Sequence, residues 1–157
     1  MRQLQAKNLN RVIKVFLPTL LMFLAVDQVS KELALKYLDS GETGTVGLSL
    51  AYNNGIVFGI DMPAWGVYAL TILVLCAGLY LALKSATMQS RKNLFALGLL
   101  LAGAVGNFVD RVRIGAVIDF VKVYWWPTFN LADVFIVVAV GIFALEILTN
   151  EEAFSDL

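Results

Sequence analysis

The stretch from residue 103 to residue 133, GAVGNFVDRVRIGAVIDFVKVYWWPTFNLAD, decides the fold because it leaves an apolar helix and then enters another. Its first helix ends in polar groups such as Asn107 and Arg111, which are costly inside a membrane. A short extended segment follows and carries Asp119. The next apolar helix begins with Asp133 in its first turn. The pattern predicts two carboxylates at the point where two membrane helices meet water.

Composition indicates an integral membrane protein of a single domain. The chain has 157 residues, of which 59% are hydrophobic and 15% are charged, and its mean hydropathy is +0.77. These values are too apolar for an ordinary soluble domain. The formal net charge is zero, so no nucleic-acid partner is expected. This chain contains no histidine and one cysteine, Cys76, which excludes a Ser-His-Asp triad, a His-ligated zinc site and an intramolecular disulfide.

Four apolar segments predict four transmembrane helices. The first follows a basic lead and is long enough to span only if its helix continues through the polar residues 27–31. No Ala-x-Ala site follows it, so we expect an uncleaved span and not a signal peptide. The predicted spans are 13–35, 64–83, 94–110 and 131–148.

Two segments between the spans favour strands. Residues 45–52 (TVGLSLAY) alternate loosely, and residues 112–124 (VRIGAVIDFVKVY) are amphipathic and rich in β-forming residues. Trp125, Trp126 and Pro127 are typical of an aromatic anchor at the membrane interface. The expected fold class is therefore an all-α membrane protein with four transmembrane helices and a small extracytoplasmic β-rich cradle.

Charge distribution favours cytoplasmic termini. Four spans place both termini on one side, and that side holds seven of the twelve Lys and Arg residues. Polar residues from several separate segments then fall together at the outer face. They are Asp27, Asn53, Asn107, Arg111, Asp119 and Asp133.

Two motifs outside the opening stretch are candidate parts of the same site. Asp27 and Lys31 lie four residues apart, so they can pair on one helix face, either to anchor the end of the span or to shape the site. Asn53 and Gly55 form a turn signal, and the amide could also hold a peptide backbone. Phe58 follows and could dip into the bilayer beside a lipid-bearing substrate.

The helix predicted over 94–110 ends in a face of small and polar residues. Gly103 and Gly106 allow close helix packing. Asn107 and Arg111 lie four residues apart on this face. Arg111 could form a plain helix-end pair with Asp110, or its rigid guanidinium could orient a carboxylate or a substrate carbonyl.

Asp119 and Asp133 are the residues best suited to catalysis. Asp119 is a charged residue between apolar neighbours. Asn130 fits the N-cap of the next helix and Asp133 its N3 position, so helix capping alone could explain both Asn130 and Asp133. Two carboxylates at one semi-apolar site share a proton and can activate water for attack on a peptide carbonyl. Our hypothesis is that Asp133 ionises first because it is near a helix N-terminus, and that Asp119 holds the proton.

Five blocks spread over nearly the whole chain resemble the lipoprotein signal peptidase family, also called signal peptidase II. Each block is weak alone, but the set and its order are specific. The blocks are Asp27-Gln28-x-Ser30-Lys31, Asn53-x-Gly55-x-x-Phe58, Gly106-Asn107-x-x-Asp110-Arg111, Val117-x-Asp119-Phe120 and Phe129-Asn130-x-Ala132-Asp133.

The resemblance implies a bacterial membrane aspartic peptidase that cleaves prolipoproteins just before a diacylglyceryl-modified cysteine. Asp119 and Asp133 match the family's catalytic pair, and four further positions match residues that line the site: Asn53, Asn107, Arg111 and Asn130. The expected location is the cytoplasmic (inner) membrane, with the active site at its extracytoplasmic face. We expect a monomer that needs no metal or other cofactor and whose partners are lipidated prolipoproteins and membrane lipids. Val57 stands where the family usually has alanine.

Other classes of function would use the same acids. A small proton-coupled transporter or channel could employ them as a proton relay, although the acids cluster at one face and do not run across the membrane. A metal-dependent phosphotransferase could employ them as Mg²⁺ ligands. A non-catalytic membrane scaffold is a third alternative.

Overall fold

The computed structural model describes residues 10–40, 45–55 and 90–149, together with six single residues between 66 and 80. Within these ranges the protein is mostly helical and has one antiparallel sheet of three strands. The elements in chain order are a π-helical turn (Val12–Phe16), α1 (Leu17–Tyr37), β1 (Val46–Asn53), α2 (Arg91–Ile114), β2 (Val117–Val123), β3 (Trp126–Phe129) and α3 (Leu131–Thr149). Phe58 and most of the predicted span 64–83 lie outside the described residues.

Three of the predicted spans correspond to long helices. In the described part of the chain, the helices Val12–Tyr37 and Arg91–Ile114 are long and apolar enough to cross a membrane. The helix α3 covers the predicted span 131–148. In the first helix, Pro18 has no N–H for a helical hydrogen bond, and the wider π-turn directly precedes α1.

The end of α2 differs from the prediction. Residues 112–114, expected to be extended, form the last turn of the helix. The helix ends at Gly115, whose φ of +80° is the left-handed conformation that glycine adopts most readily, and the N–H of Gly115 donates to the Arg111 carbonyl. The prediction was wrong here because the helix continues as far as this glycine C-cap, so its last turn includes the β-forming residues Val112 and Ile114.

The helical core lies between α1, α2 and α3. Ala96 and Leu99 of α2 pack against Phe135 and Ala139 of α3. Phe23 of α1 joins them, with its ring 4.9 Å from that of Phe135 in an edge-to-face arrangement. Small residues on α2 permit this close approach.

The sheet is packed at one end of the helices and has β2 at its centre. Its order is β1-β2-β3, with both pairs antiparallel, and a bulge in β1 between Leu48 and Ala51 leaves Ala51 opposite Asp119. The strand predicted over 45–52 is confirmed, and the second predicted strand is confirmed as the shorter β2. The strand β3 was not predicted from the sequence; it is a short edge strand that contains proline, a residue tolerated at sheet edges.

Two glycines provide a test of the helix packing. A methyl group on Gly103 would overlap the backbone carbonyl of Ala132 on α3, whereas Gly141 faces open space. We expect Gly103→Ala to lower the free energy of unfolding by about 1–3 kcal/mol. Gly141→Ala should leave it unchanged or raise it by up to about 1 kcal/mol, because alanine favours the helix. Thermal unfolding in detergent measures both, and equal melting temperatures would contradict the close α2–α3 contact.

Candidate active site

Two carboxylates lie where the sheet meets the helix ends. Asp119 is in the buried half of β2, and its side chain is 1% exposed. Asp133 is in the first turn of α3 and is half-buried. The strand and the helix are joined by a short segment that includes Asn130, which is fully buried.

Amide groups hold both oxygens of Asp119. Asn130 Nδ2 donates to Oδ1 over 2.6 Å, and Asn53 Nδ2 donates to Oδ2 over 3.0 Å. The pKa of Asp119 is raised from its ordinary value of 3.8 to about 7, first by burial and then by the nearby Asp133 carboxylate, whereas the two amides act in the opposite direction. Asp119 is therefore able to hold a proton near neutral pH.

Asp133 is held by a reciprocal cap at the start of α3. The Asp133 N–H donates to Asn130 Oδ1 over 3.0 Å, and the Asn130 N–H donates to Asp133 Oδ2 over 3.2 Å. These bonds confirm the predicted N-cap and N3 positions. Asn107 Nδ2 donates to the other oxygen, Oδ1, over 2.9 Å. Both oxygens of Asp133 thus accept N–H groups, an arrangement that suits an ionised carboxylate.

The turn after β1 is tied to α2. Asn53 Oδ1 accepts the Gly55 N–H over 3.0 Å, which fixes the turn and leaves Asn53 Nδ2 directed at Asp119. Arg111 donates to the Gly55 carbonyl over 3.1 Å and to the Asn107 carbonyl over 3.5 Å. Arg111 therefore joins this turn to the end of α2, a role that the sequence analysis did not consider.

The predicted pair of Asp27 and Lys31 is confirmed and lies beside the carboxylates. Lys31 Nζ is 2.9 Å from Asp27 Oδ2, and the same ammonium donates to Asn107 Oδ1 over 2.9 Å. It also lies 2.7 Å from Asp110 Oδ2. Both acids and Lys31 are at most 1% exposed, so the pair belongs to a buried cluster and is not a surface anchor.

The structure brings together nine of the ten predicted site residues, and the tenth, Phe58, lies outside the described residues. Asp110 and Gln28 were not among the site residues predicted from the sequence, yet both belong to the buried cluster. Gln28 Nε2 donates to Asp27 and to Asp110 over 3.1 and 3.4 Å. A buried lysine requires nearby carboxylates to compensate its charge, which could have indicated Asp110. However, Asp110 and its partner Lys31 are far apart in the sequence.

The two carboxylates can together carry out acid–base chemistry. Asp119 can hold a proton near neutral pH, both oxygens of Asp133 accept N–H groups, and Asn130 links the two side chains. Such a pair can activate water and protonate a leaving group. Within the described residues, no group of three or more Asp, Glu, Cys or His side chains is arranged to hold a metal ion.

Known proteins that are similar to this chain share one family name. The family model described as signal peptidase (SPase) II matches residues 19–149. A lipoprotein signal peptidase from Nitrobacter hamburgensis is 41% identical over 133 residues, which cover 74% of this chain and 81% of that protein. One from Halalkalibacterium halodurans is 36% identical over 141 residues, which cover 83% of this chain and 90% of that protein.

A solved structure has a similar fold. The structure of a bacterial membrane enzyme at 2.3 Å resolution superposes with a TM-score of 0.78 and 28% sequence identity. The match covers 88% of this chain and 90% of the solved one. The similarity therefore extends over most of both chains.

Replacing each carboxylate by asparagine should affect stability differently. At pH 7, Asp133→Asn should lower the free energy of unfolding by about 1 kcal/mol, because it removes a negative charge from a helix N-terminus and weakens the cap. Asp119→Asn should lower it less, because removing an unfavourably buried carboxylate offsets the loss of one acceptor for the amides of Asn53 and Asn130. Thermal unfolding of the two variants in detergent measures the difference.

The pH dependence gives the control for this comparison. The folded pKa of Asp119 is raised from 3.8 to about 7, so its contribution to stability is complete below about pH 4 and is lost as the pH rises to about 7. Asp119→Asn should remove this part of the decline, whereas Asp133→Asn should retain a decline in that range. The same pH dependence in wild type and Asp119→Asn would show that Asp119 titrates normally.

Proposed function

The chain belongs to the signal peptidase II family, and from this premise we propose that it is a membrane aspartic endopeptidase that removes signal peptides from prolipoproteins. The bond hydrolysed is the one before the diacylglyceryl-modified cysteine. The observation that carries the proposal is the linkage of Asp119 and Asp133 through Asn130, with Asp119 able to hold a proton near neutral pH.

The two carboxylates would divide the acid and base roles. Ionised Asp133 takes a proton from water as the water oxygen bonds to the peptide carbonyl carbon, while Asp119 gives its proton to the carbonyl oxygen. The C–N bond then breaks, the leaving nitrogen takes the proton from Asp133, and the carbonyl re-forms as its hydroxyl returns a proton to Asp119. Water is consumed, both carboxyl groups end as they began, and the amide donors keep them aligned throughout.

The remaining site residues would hold the peptide near this pair. Asn53 and Arg111 fix the turn at Gly55 beside Asp119, so a peptide lying along this turn would meet backbone and amide groups close to the reacting bond. Phe58 follows this turn in the sequence and would contact the lipid-modified part of the substrate.

We propose that four helices cross the bacterial inner membrane, with cytoplasmic termini and the site at the extracytoplasmic face. Support comes from the apolar side chains that α1 and α3 leave exposed, as a lipid-facing surface requires: Leu21, Met22, Val29 and Leu33 on α1, and Val137, Val140 and Leu145 on α3. The fourth helix would be the span predicted over 64–83. The sheet would then form a cradle at the outer interface, where a monomer could meet a lipid-anchored substrate diffusing in the membrane plane.

A proton-coupled transporter is the alternative from another class. A relay requires ionisable groups distributed across the membrane. Here the buried acids Asp27, Asp110 and Asp119 all lie within one connected network around the end of α2 and the start of α3. This clustering favours a reaction at one interface over transport.

Cleavage of a lipidated prolipoprotein peptide by the purified protein tests the proposal directly. Asp119→Asn and Asp133→Asn should each lower kcat/KM by about 10²- to 10⁴-fold, because each removes one partner of the acid–base pair. Activity should persist in the presence of a chelator. Asp39→Asn is a matched control because this acid is exposed and outside the network, so its activity should be unchanged. Full activity in either site variant would remove that residue from the mechanism, and loss with chelator would favour a metal-dependent reaction.

The pH profile of cleavage tests the division of roles. The value of kcat/KM should fall as the pH rises through about 7, because Asp119 then loses the proton it must donate. Wild type and Asp39→Asn should share this alkaline limb. A rate that instead rises through pH 7 to a plateau would assign the base role to Asp119.

A further inference from the structure

A buried lysine lies next to the carboxylate pair and contacts neither of its members directly. Lys31 Nζ makes three contacts, at 2.9 Å to Asp27, 2.7 Å to Asp110 and 2.9 Å to Asn107 Oδ1. An ammonium has three N–H donors, so these three partners satisfy it. Two of them are carboxylates, which explains how the charge is tolerated, but the third is a neutral amide that also touches Asp133.

The hydrogen-bond partners of this amide determine which way Asn107 faces. The two ends of an asparagine side chain are similar in size, and their hydrogen-bond partners decide the orientation. Lys31 can only donate, so it requires the oxygen of Asn107, and Asn130 Nδ2 donates to the same oxygen over 3.1 Å. The Nδ2 group of Asn107 is therefore directed at Asp133 Oδ1. The reversed amide would place an oxygen against that carboxylate.

The same cluster also holds the backbone next to Asp133. Asp27 Oδ1 accepts the N–H of Ala132 over 3.0 Å, and Ala132 directly precedes Asp133 in the first turn of α3. Asp27 can approach this closely because position 106 is a glycine, where a methyl group would overlap the Asp27 carboxylate. Thus Lys31 acts on the side chain of Asp133 through Asn107, and its partner Asp27 acts on the adjoining backbone.

We propose that Lys31 is a positioning residue of the peptidase: by fixing the orientation of Asn107, it keeps an N–H donor on Asp133 and holds that carboxylate aligned for reaction. This inference rests on the proposed function. The simpler role for Lys31, neutralising two buried acids, requires only Asp27 and Asp110. It gives no reason for the bond to Asn107. The neutralising role predicts that loss of Lys31 lowers stability, whereas the positioning role predicts that it also lowers kcat of the folded protein.

The positive charge of Lys31 has a second effect that can be measured. It lowers the pKa of Asp119, against the larger effects of burial and of Asp133 on α3. The other charged groups in this region are the acids Asp27 and Asp110, which pair with Lys31, and Arg111, which follows Asp110 on α2. Removing Lys31 should therefore move the alkaline limb of the pH profile upward.

The test compares Lys31→Met/Asp110→Asn with Asp110→Asn alone. The double variant removes one positive and one negative charge, so the net charge of the buried cluster is that of the wild type. In Asp110→Asn, Lys31 keeps its contacts with Asp27 and Asn107. We expect kcat of the double variant on the lipidated peptide to be about 10²-fold below that of Asp110→Asn, as for a misplaced reacting group, with little change in KM. The alkaline limb of the pH profile should lie at higher pH in the double variant than in Asp110→Asn.

Equal kcat values and equal pH limbs in these two variants would overturn the inference. Glu32→Gln is the control for helix contacts, because Glu32 forms an exposed ion pair with Arg113 that joins the same two helices outside the network; wild-type activity is expected. Thermal unfolding in detergent shows whether each variant is folded. A wild-type protein that does not cleave the peptide would reject the proposed function itself, which distinguishes the two failures.

Asn107→Asp provides a second test if the double variant does not fold. It keeps an oxygen for Lys31 and the volume of the side chain, and it replaces the N–H directed at Asp133 by a carboxyl oxygen, which adds a negative charge when it is ionised. Its kcat should also fall by about 10²-fold. Full activity in a folded Asn107→Asp protein would show that the orientation of this side chain is irrelevant, and the proposal for Lys31 would fail with it.

Discussion

The buried amide of Asn130 is the constraint on which the rest of the site depends. It is fully buried, its oxygen accepts the Asp133 N–H, and its Nδ2 group donates both to Asp119 and to Asn107. A buried amide that loses a partner is costly, so the positions of these three partners are not independent. One side chain therefore connects β2, α2 and the start of α3, which come from separate parts of the sequence.

The polar network is stable because each of its groups is satisfied by another. Lys31 compensates two acids, the acids receive backbone N–H groups of Ala132 and Ile118, and the amides receive backbone or ammonium donors. Such networks are stronger than their separate bonds in a low dielectric, and costly when incomplete. In the described part of the chain, the one buried side-chain polar atom without a hydrogen bond is Asn93 Oδ1, at the opposite end of α2.

Local patterns in the sequence were sufficient for the features that depend on local chemistry. The capping box of Asn130 and Asp133, the pair of Asp27 and Lys31, and the position of α3 follow from spacings of three or four residues, and the structure confirms each of them. The resemblance to signal peptidase II, carried by five short blocks, is confirmed by the comparisons over residues 19–149.

What the sequence could not provide was pairing between distant residues. Asp110 next to Arg111 indicated a helix-end pair, yet Asp110 binds Lys31 of α1, and Arg111 binds the carbonyl of Gly55. The strand β3 was missed because its pairing with β2 sets its conformation, and its own sequence contains proline. These features are decided by tertiary contacts, which override local preference.

The most informative conflict between local rules and structure is Asp119 itself. A carboxylate in the buried half of a strand, between Ile118 and Phe120, contradicts the hydrophobic pattern of β2, and burial makes its ionised form unfavourable near neutral pH. Selection for stability alone would favour an apolar residue there. Local rules are typically broken at functional sites, where the cost is offset elsewhere, here by the amides of Asn53 and Asn130. The same burial that destabilises the anion keeps a proton available for transfer, so the cost in stability and the chemical capacity of the site have one physical cause.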